Sequence, residues 1–315
     1  MIGFLKSLIR ARLGGITHIR QHRAMIGDVP SIPDVVATLA TKWPQPATEG
    51  NHSPIFVLSS SWRAGSTAVQ RLIMSPGNVL VWGEPYHDCN YVHRLADSLR
   101  ALGGLDPGLP QFSRASDSED LSKKWVAVMS PEPSQLRAAH AAFFEALLGS
   151  PALELGYERW GLKEVRFGLD EALYLRWVFP EARFVVLYRN PYEAYRSYRV
   201  FPTWYSRWPQ EPVLSAGDFA NHWVKLTAGL LEGAEALGAH VIAHEDLSRA
   251  PEEVAHGLSD HLGLAIDPSP LAVRVTGRGR QNDATQPPRV SWAELRAVEA
   301  VAGDLARGLG YAPRP

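Results

Sequence analysis

The sequence predicts an α/β domain with a mostly parallel central sheet flanked by helices. Three observations carry this expectation. From residue 54 onward, short β-branched apolar runs alternate with helical patterns, the order that builds parallel sheets. Two of these runs, 54–60 and 183–188, pass through a small turn directly into a helix. At 315 residues and 45% apolar composition the chain suffices for one large domain with additions, and neither an internal repeat nor an extended low-complexity tract interrupts it.

The stretch to residue 52 reads as an N-terminal helical appendage and linker. Lys6, Arg10, Arg12, Arg20 and Arg23 precede the first acid, Asp28, while Ile2, Leu5, Leu8, Ile9, Leu13, Ile16 and Ile19 spread over an approximately helical face. Lys6 and Arg10 break the apolar run, which argues against a cleaved signal peptide. A helix packed on its own domain or on a partner subunit is the simplest expectation, with weak contact to an anionic membrane as the alternative. Pro30, Pro33, Pro44 and Pro46 then punctuate a polar connection. The main domain is expected over 53–315. Strand 54–60 leads to helix 66–75, and Val79–Trp82 forms a short second strand. Residues 103–120, rich in Gly, Pro and Ser, read as an irregular excursion, and Glu132–Leu148 as a helix. A strand around Tyr157–Lys163 precedes helix 169–178, and strand 183–188 precedes helix 191–199. A long helix from about Ser215 to Leu237, a strand at His240–Ala243 and a helix at Pro251–Leu262 complete the pattern.

Composition narrows the function. A formal charge of −1 argues against general nucleic-acid binding, which shows a basic excess. The single cysteine, Cys89, excludes an internal disulfide framework and fits a reducing, cytoplasmic setting. No apolar run approaches the length of a membrane span. No dense His/Cys/Asp cluster stands at metal-ligand spacing, so no metal is expected.

The most informative segment is Pro54–Ile73, an apolar strand, a small-residue turn (Ser60-Ser61-Trp62-Arg63-Ala64-Gly65-Ser66-Thr67) and a helix. Unpaired amides and the dipole at such a helix start favour an anion. A nucleoside-triphosphate loop reads G-x-x-x-x-G-K-[ST]. Here there is one Gly, no Lys before Ser66, and an Arg three residues before it. The second informative segment is Ala182–Tyr198, where Arg189 ends a strand, Pro191 opens a helix, and Ser197 follows Arg189 by eight residues. Arg offers a planar fork of donors to phosphate, and Ser a short hydroxyl donor.

The first turn resembles the 5′-phosphosulfate-binding loop of sulfotransferases that use 3′-phosphoadenosine 5′-phosphosulfate (PAPS), which typically reads P-[KR]-[ST]-G-[ST]-T. Arg63, Gly65, Ser66 and Thr67 match, while Trp62 replaces the usual Pro and Ala64 the usual hydroxyl residue. Arg189 and Ser197 resemble the 3′-phosphate motif of the same family. Over roughly 53–310 the resemblance implies a sulfotransferase fold related to P-loop nucleotide kinases, of the soluble bacterial type, with some likeness to the tyrosyl-protein and carbohydrate branches. It implies PAPS as donor, adenosine 3′,5′-bisphosphate (PAP) as product, and Arg63, Ala64, Gly65, Ser66, Thr67, Arg189 and Ser197 as nucleotide ligands. Thr276-Gly-Arg-Gly-Arg-Gln-Asn282 resembles the family's basic covering loop, which adds Arg278, Gly279 and Arg280.

Ligands of parallel sheets bind beyond the carboxyl ends of the strands. Arg63, Glu84, Lys163 and Arg189 each lie at or just past a predicted strand end, so the topology should gather them on one rim. Glu84, in Val81-Trp-Gly-Glu-Pro-Tyr86, resembles the catalytic base of several bacterial and tyrosyl-protein sulfotransferases. Another branch uses a His in K-T-H-L-P, where this chain reads Gly161-Leu-Lys-Glu-Val165 and supplies none. Glu164 and His87 stand in reserve as bases, and Glu84 as a purely structural partner of Arg63 or Lys163 is the alternative. Lys163, 26 residues before Arg189, is close to the family's separation between its active-site Lys and 3′-phosphate Arg. With Arg63 it would balance charge as the sulfuryl bond breaks. The acceptor is less legible. Trp204, Tyr205 and Trp208 in a Pro-bounded loop, with His87, are candidate lining for a small-molecule, sugar or peptide acceptor. A Mg²⁺-dependent nucleotide kinase and a catalytically silent nucleotide-binding scaffold remain open as other readings, as does a homodimer.

Overall fold

The computed structural model describes residues 30–43, 53–86, 89–103, 120–123, 126–127, 129–199, 212–273 and 290–312. Strands β1 (Ile55–Ser59), β2 (Val79–Gly83), β3 (Arg159–Glu164), β4 (Arg183–Tyr188) and β5 (His240–Ala243) form one sheet in the order β2-β3-β1-β4-β5. Every neighbouring pair is parallel. β1 is central, and all five of its residues are buried, as expected for a strand covered on both faces.

Side chains alternate across that sheet. Ile55 and Val57 join a cluster with Val69, Leu72 and Ile73 of α2 (Ser66–Ile73) and Leu258 of α8 (Pro251–Leu262). Phe56 and Leu58 point the other way, toward Phe144 at the end of α4 (Pro133–Phe144) and Tyr174 and Leu175 of α5 (Leu169–Val178). The helix after β1 thus lies on one face and the helix after neighbouring β3 on the other. A crevice opens beyond the carboxyl ends of such a strand pair, which is where parallel sheets bind ligands.

A third cluster lies at that same edge. There α6 (Pro191–Tyr198), α7 (Ala216–Glu232) and α9 (Trp292–Gly308) pack Tyr195, Tyr198, Phe219, Trp223, Val298, Ala302 and Ala306 together. Ala302 and Ala306 bring the α9 backbone close to α7. The alternation predicted from sequence is the one observed, with element ends shifted by a few residues.

Four details differ from expectation. The Pro30–Pro46 stretch is not a polar connection throughout. It contains α1 (Ile32–Lys42), whose Ile32, Val35 and Leu39 are buried in the main core, with Ser31 as N-cap. The helix expected to Leu148 leaves α geometry at Phe144, passes through a π turn (Glu145–Gly149), and resumes at Ser150–Glu154. α7 stops at Glu232 rather than Leu237, where Gly233 caps it against the side chain of Leu169. Neither α3 (Tyr91–Ser98) nor α9 was expected.

Candidate active site

Ser59 ends β1, and the chain reverses before α2. Arg63 and Gly65 both take left-handed φ, at 66° and 92°. Gly tolerates that conformation, whereas Arg63 is strained in it, and such strain concentrates at binding sites. No side chain caps the start of α2, whose first amides have no partner within the helix.

A Cβ at Gly65 would overlap the ring nitrogen Nδ1 of His244 and lie 2.8 Å from its Cε1. Only glycine therefore satisfies both backbone and packing here.

The second predicted motif locks onto this turn. Arg189 donates from Nη1 to the Arg63 carbonyl at 2.6 Å, and Arg63 donates from Nε to Ser197 Oγ at 3.0 Å. Arg189 is itself fixed. Its carbonyl accepts from Trp223 Nε1 at 2.9 Å, and Asn190 next to it caps α6 by accepting from the amides of Tyr192 and Glu193. The Asn190 amide donates to Glu245 at 3.1 Å. Burial pushes the Arg189 guanidinium down, with Glu245 and Glu193 opposing.

Among the described residues, Arg189 Nε, Ser60 Oγ, Ser61 Oγ and His244 Nδ1 are buried polar atoms without a hydrogen-bond partner. Such atoms also occur elsewhere among the described residues, so it is the gathering of these four at one turn that calls for an explanation. Two serine hydroxyls and a guanidinium N–H around a glycine-dependent turn fit a phosphate- or sulfate-bearing ligand.

On the other side of β1, the buried Lys163 of β3 forms an ion pair with Glu84. The Glu84 amide also donates to the Lys163 carbonyl at 3.0 Å. Glu84 follows β2 directly, in left-handed conformation (φ 31°), and its side chain is 27% exposed. It is tied to its partner by backbone and side chain while keeping access to solvent.

Glu164, held in reserve as a base, is in a different situation. It is 2% exposed and accepts from Arg166 Nε at 2.6 Å, Arg166 Nη2 at 2.5 Å and the Val165 amide at 2.8 Å. Burial pushes its carboxyl up, and Arg166 opposes that. Three donors already engage its two oxygens and the side chain is buried, so it is less accessible to an acceptor than Glu84.

The predicted residues thus meet as two groups flanking β1: Arg63, Arg189 and Ser197 beside β4, and Glu84 with Lys163 beside β3. Ala64, Gly65, Ser66 and Thr67 lie between them on the turn. His87, Trp204, Tyr205, Trp208, Arg278, Gly279 and Arg280 lie outside the described residues.

Sequence reasoning missed His244. The strand-end rule that found Arg189 also applies to it, since it is the first residue after β5. Burial, then the nearby Arg189 cation, lowers its pKa to about 4, while Glu245 and the Ala64 carbonyl oppose. Its ordinary value is 6.5, so the unfolded chain takes up this proton first as pH falls. The stability it contributes is therefore complete above about pH 6.5 and is lost as pH falls toward about 4. His244→Gln is expected to weaken the acid dependence of urea unfolding across that window. An unchanged pH dependence would show that the ring is not held neutral by the fold.

The model of the Sulfotransferase family matches residues 54–268. Among solved structures, the chain is similar to the sulfotransferase domain of the Synechococcus PCC 7002 olefin synthase, with 16% identity, a TM-score of 0.45, and coverage of 86% of this chain and 99% of that one. It is similar to a sulfotransferase from Alicyclobacillus acidocaldarius, with 13% identity, a TM-score of 0.39, and coverage of 82% and 100%. A sulfotransferase from Mycobacterium avium gives 14% identity, a TM-score of 0.42, and coverage of 87% and 81%. No curated protein matches the sequence. No helix among the described residues is long and apolar enough to cross a membrane. The family match covers more than half of the chain, spanning all five strands and both motif turns, and the chain belongs to the sulfotransferase family.

Proposed function

We propose that this enzyme transfers a sulfuryl group from PAPS to an acceptor hydroxyl, with an amine as the secondary alternative, and releases PAP as the product. The observation that carries the reading is the interlock of Arg189, Arg63 and Ser197 around a turn with unpartnered buried donors. Ser66, Thr67 and the amides of Ala64 to Thr67 bind the 5′ end of the nucleotide, together with Arg63. Arg189 and Ser197 bind the 3′-phosphate. When bound, PAPS supplies a sulfuryl group whose bond to the 5′-phosphate oxygen breaks as the acceptor oxygen bonds to sulfur. Glu84 accepts the hydroxyl proton. Lys163, whose ammonium is fixed beside Glu84, and Arg63 offset the negative charge that collects on the departing phosphate. These cations belong to the chain, so no metal is assigned a role.

The donor reading is tested by titration calorimetry. Losing one charge-assisted hydrogen bond typically costs about 1.5–3 kcal/mol. PAP is therefore expected to bind at least about tenfold more tightly than AMP. Arg189→Ala should largely erase that preference while leaving AMP affinity much less affected. Equal affinity of the unaltered protein for the two nucleotides would refute the assignment of Arg189 and Ser197.

A further inference from the structure

A cavity of about 350 Å³ opens beside the nucleotide turn. Trp62, immediately before Arg63, forms one wall, and Val165 and Arg166, immediately after Glu164, form another. Helices α3 and α7, with α5 and its N-cap Gly168, supply the other lining residues. Among its described lining residues, none belongs to the set assigned to the donor. It adjoins the turn on one side and the end of β3 on the other, so it is placed for the second substrate. Among the described residues its volume is near the lower end for small-molecule sites, which suits a compact guest better than a long lipid.

The chemistry of the wall selects a class of molecule. Carboxylates Asp97, Asp170 and Glu171 line it together with Lys225, Arg166 and the imidazoles of His93 and His222. Much of this charge is matched within the protein. Arg100 donates to Asp97 at 3.0 Å and to Asp170 at 2.7 Å. Arg166 is taken up by Glu164, and Glu171 accepts from the Gly168 amide at 2.8 Å with His93 Nε2 at 3.7 Å.

A wall with matched charges attracts an ionic ligand weakly, yet its carboxylates are hydrogen-bond acceptors and its ammonium and imidazole groups are donors. An apolar guest would strip water from these groups without replacing the hydrogen bonds. A hydroxyl both donates and accepts, so several hydroxyls on one ring satisfy both kinds of wall group at once. Trp62, Leu169 and Leu226 offer apolar surface to the C–H faces of such a ring.

We propose that this cavity is the acceptor site and that it takes a neutral, polyhydroxylated ring compound, a sugar or cyclitol of one or two rings. That the bound hydroxyl becomes sulfated rests on the sulfotransferase reading above, whereas occupation of the cavity does not.

Ligand-detected NMR on the full chain tests this with three sets of probes. They are methyl glucoside, trehalose and myo-inositol; glucosamine and glucuronate; and p-nitrophenol and octanol. The neutral polyols are expected to bind at millimolar concentration, with and without PAP. Lys225→Met and Asp170→Asn should each weaken that binding by about tenfold or more, the loss expected for a hydrogen bond to a charged group. PAP titration of the same variants should stay unchanged, which shows that they are folded.

Absence of polyol binding, preference for the charged sugars or the apolar probes, or polyol binding indifferent to both substitutions would each overturn the inference. PAP binding without polyol binding removes this inference alone. Polyol binding without PAP binding removes the donor reading and leaves the cavity assignment standing.

Discussion

Replacing Glu84 by Gln is expected to cut turnover by about two to four decades while leaving PAP binding nearly unchanged, because a positioned general base commonly contributes about 10²–10⁴-fold. The structure makes this substitution informative. Gln keeps the length of Glu and an oxygen able to accept from Lys163, so the geometry around the ion pair is preserved while the basicity is lost. The Glu84 amide remains bonded to the Lys163 carbonyl, which fixes the backbone independently of the side chain.

A competing effect must be separated. Lys163 has a side chain only 6% exposed and loses its counter-charge in the variant. Breaking a buried pair on one side typically costs about 3–5 kcal/mol, less here because Glu84 is partly exposed. Thermal melting of the variant therefore accompanies the kinetics. A large drop in turnover with intact PAP affinity and a modest shift in melting places the proton on Glu84. A loss of turnover below about threefold would leave Glu84 as the structural partner of Lys163. The next base to test is then His87, since Glu164 is already committed to Arg166.

The parallel sheet was legible because β1, β2, β4 and β5 are compact apolar runs, with β3 and its Arg159, Lys163 and Glu164 as the exception, and most of the intervening helices open at Pro, Ser or Gly. The placement of Arg63, Glu84, Lys163 and Arg189 at strand ends was legible with no knowledge of contacts, and the sheet order then sets Arg63 and Arg189 on one side of β1 and Glu84 and Lys163 on the other. Which groups would pair was not legible: that Lys163 meets Glu84, or that the Arg63 side chain reaches Ser197, depends on rotamers and loop paths.

Two helices escaped for identifiable reasons. α1 carries Ile32, Val35 and Leu39 at helical spacing, but Pro33 reads as a breaker. At the first turn of a helix it is instead a start signal, and Ser31 supplies the cap. α9 opens with a capping box, Ser291 with Glu294, ahead of a face built from Val298, Ala302 and Ala306. Alanines give a weak apolar period, so the cap was the better signal there. His244 escaped because its importance is steric and tertiary, lying in what it denies to residue 65.

That steric role yields the second large expected effect. Gly65→Ala should weaken PAP binding by at least about tenfold and lower the melting temperature. Two separate costs act at this one position. The φ of 92° is unfavourable for any L side chain, by about 1–2 kcal/mol for the left-handed region. The new methyl would also overlap His244 Nδ1 and approach Leu247 Cδ1 to 3.3 Å, and overpacking of this kind costs about 1–3 kcal/mol.

Leu247 is anchored in the core on the α2 face of the sheet and the His244 ring is half-buried beside it, whereas the turn exposes Arg63 and Thr67. Relief should therefore come from displacement of the turn, which moves the Arg63 carbonyl away from Arg189 and breaks the interlock. A double-mutant cycle separates the costs. His244→Ala in the Gly65→Ala background removes the overlap but not the backbone strain, so it should recover part of the PAP affinity and never all of it. Full recovery would mean that the left-handed turn contributes nothing to the nucleotide site. No recovery would mean that the imidazole does not set the height of the turn. Wild-type affinity in Gly65→Ala itself would show that the turn is not the rigid anion cradle from which the donor assignment is built.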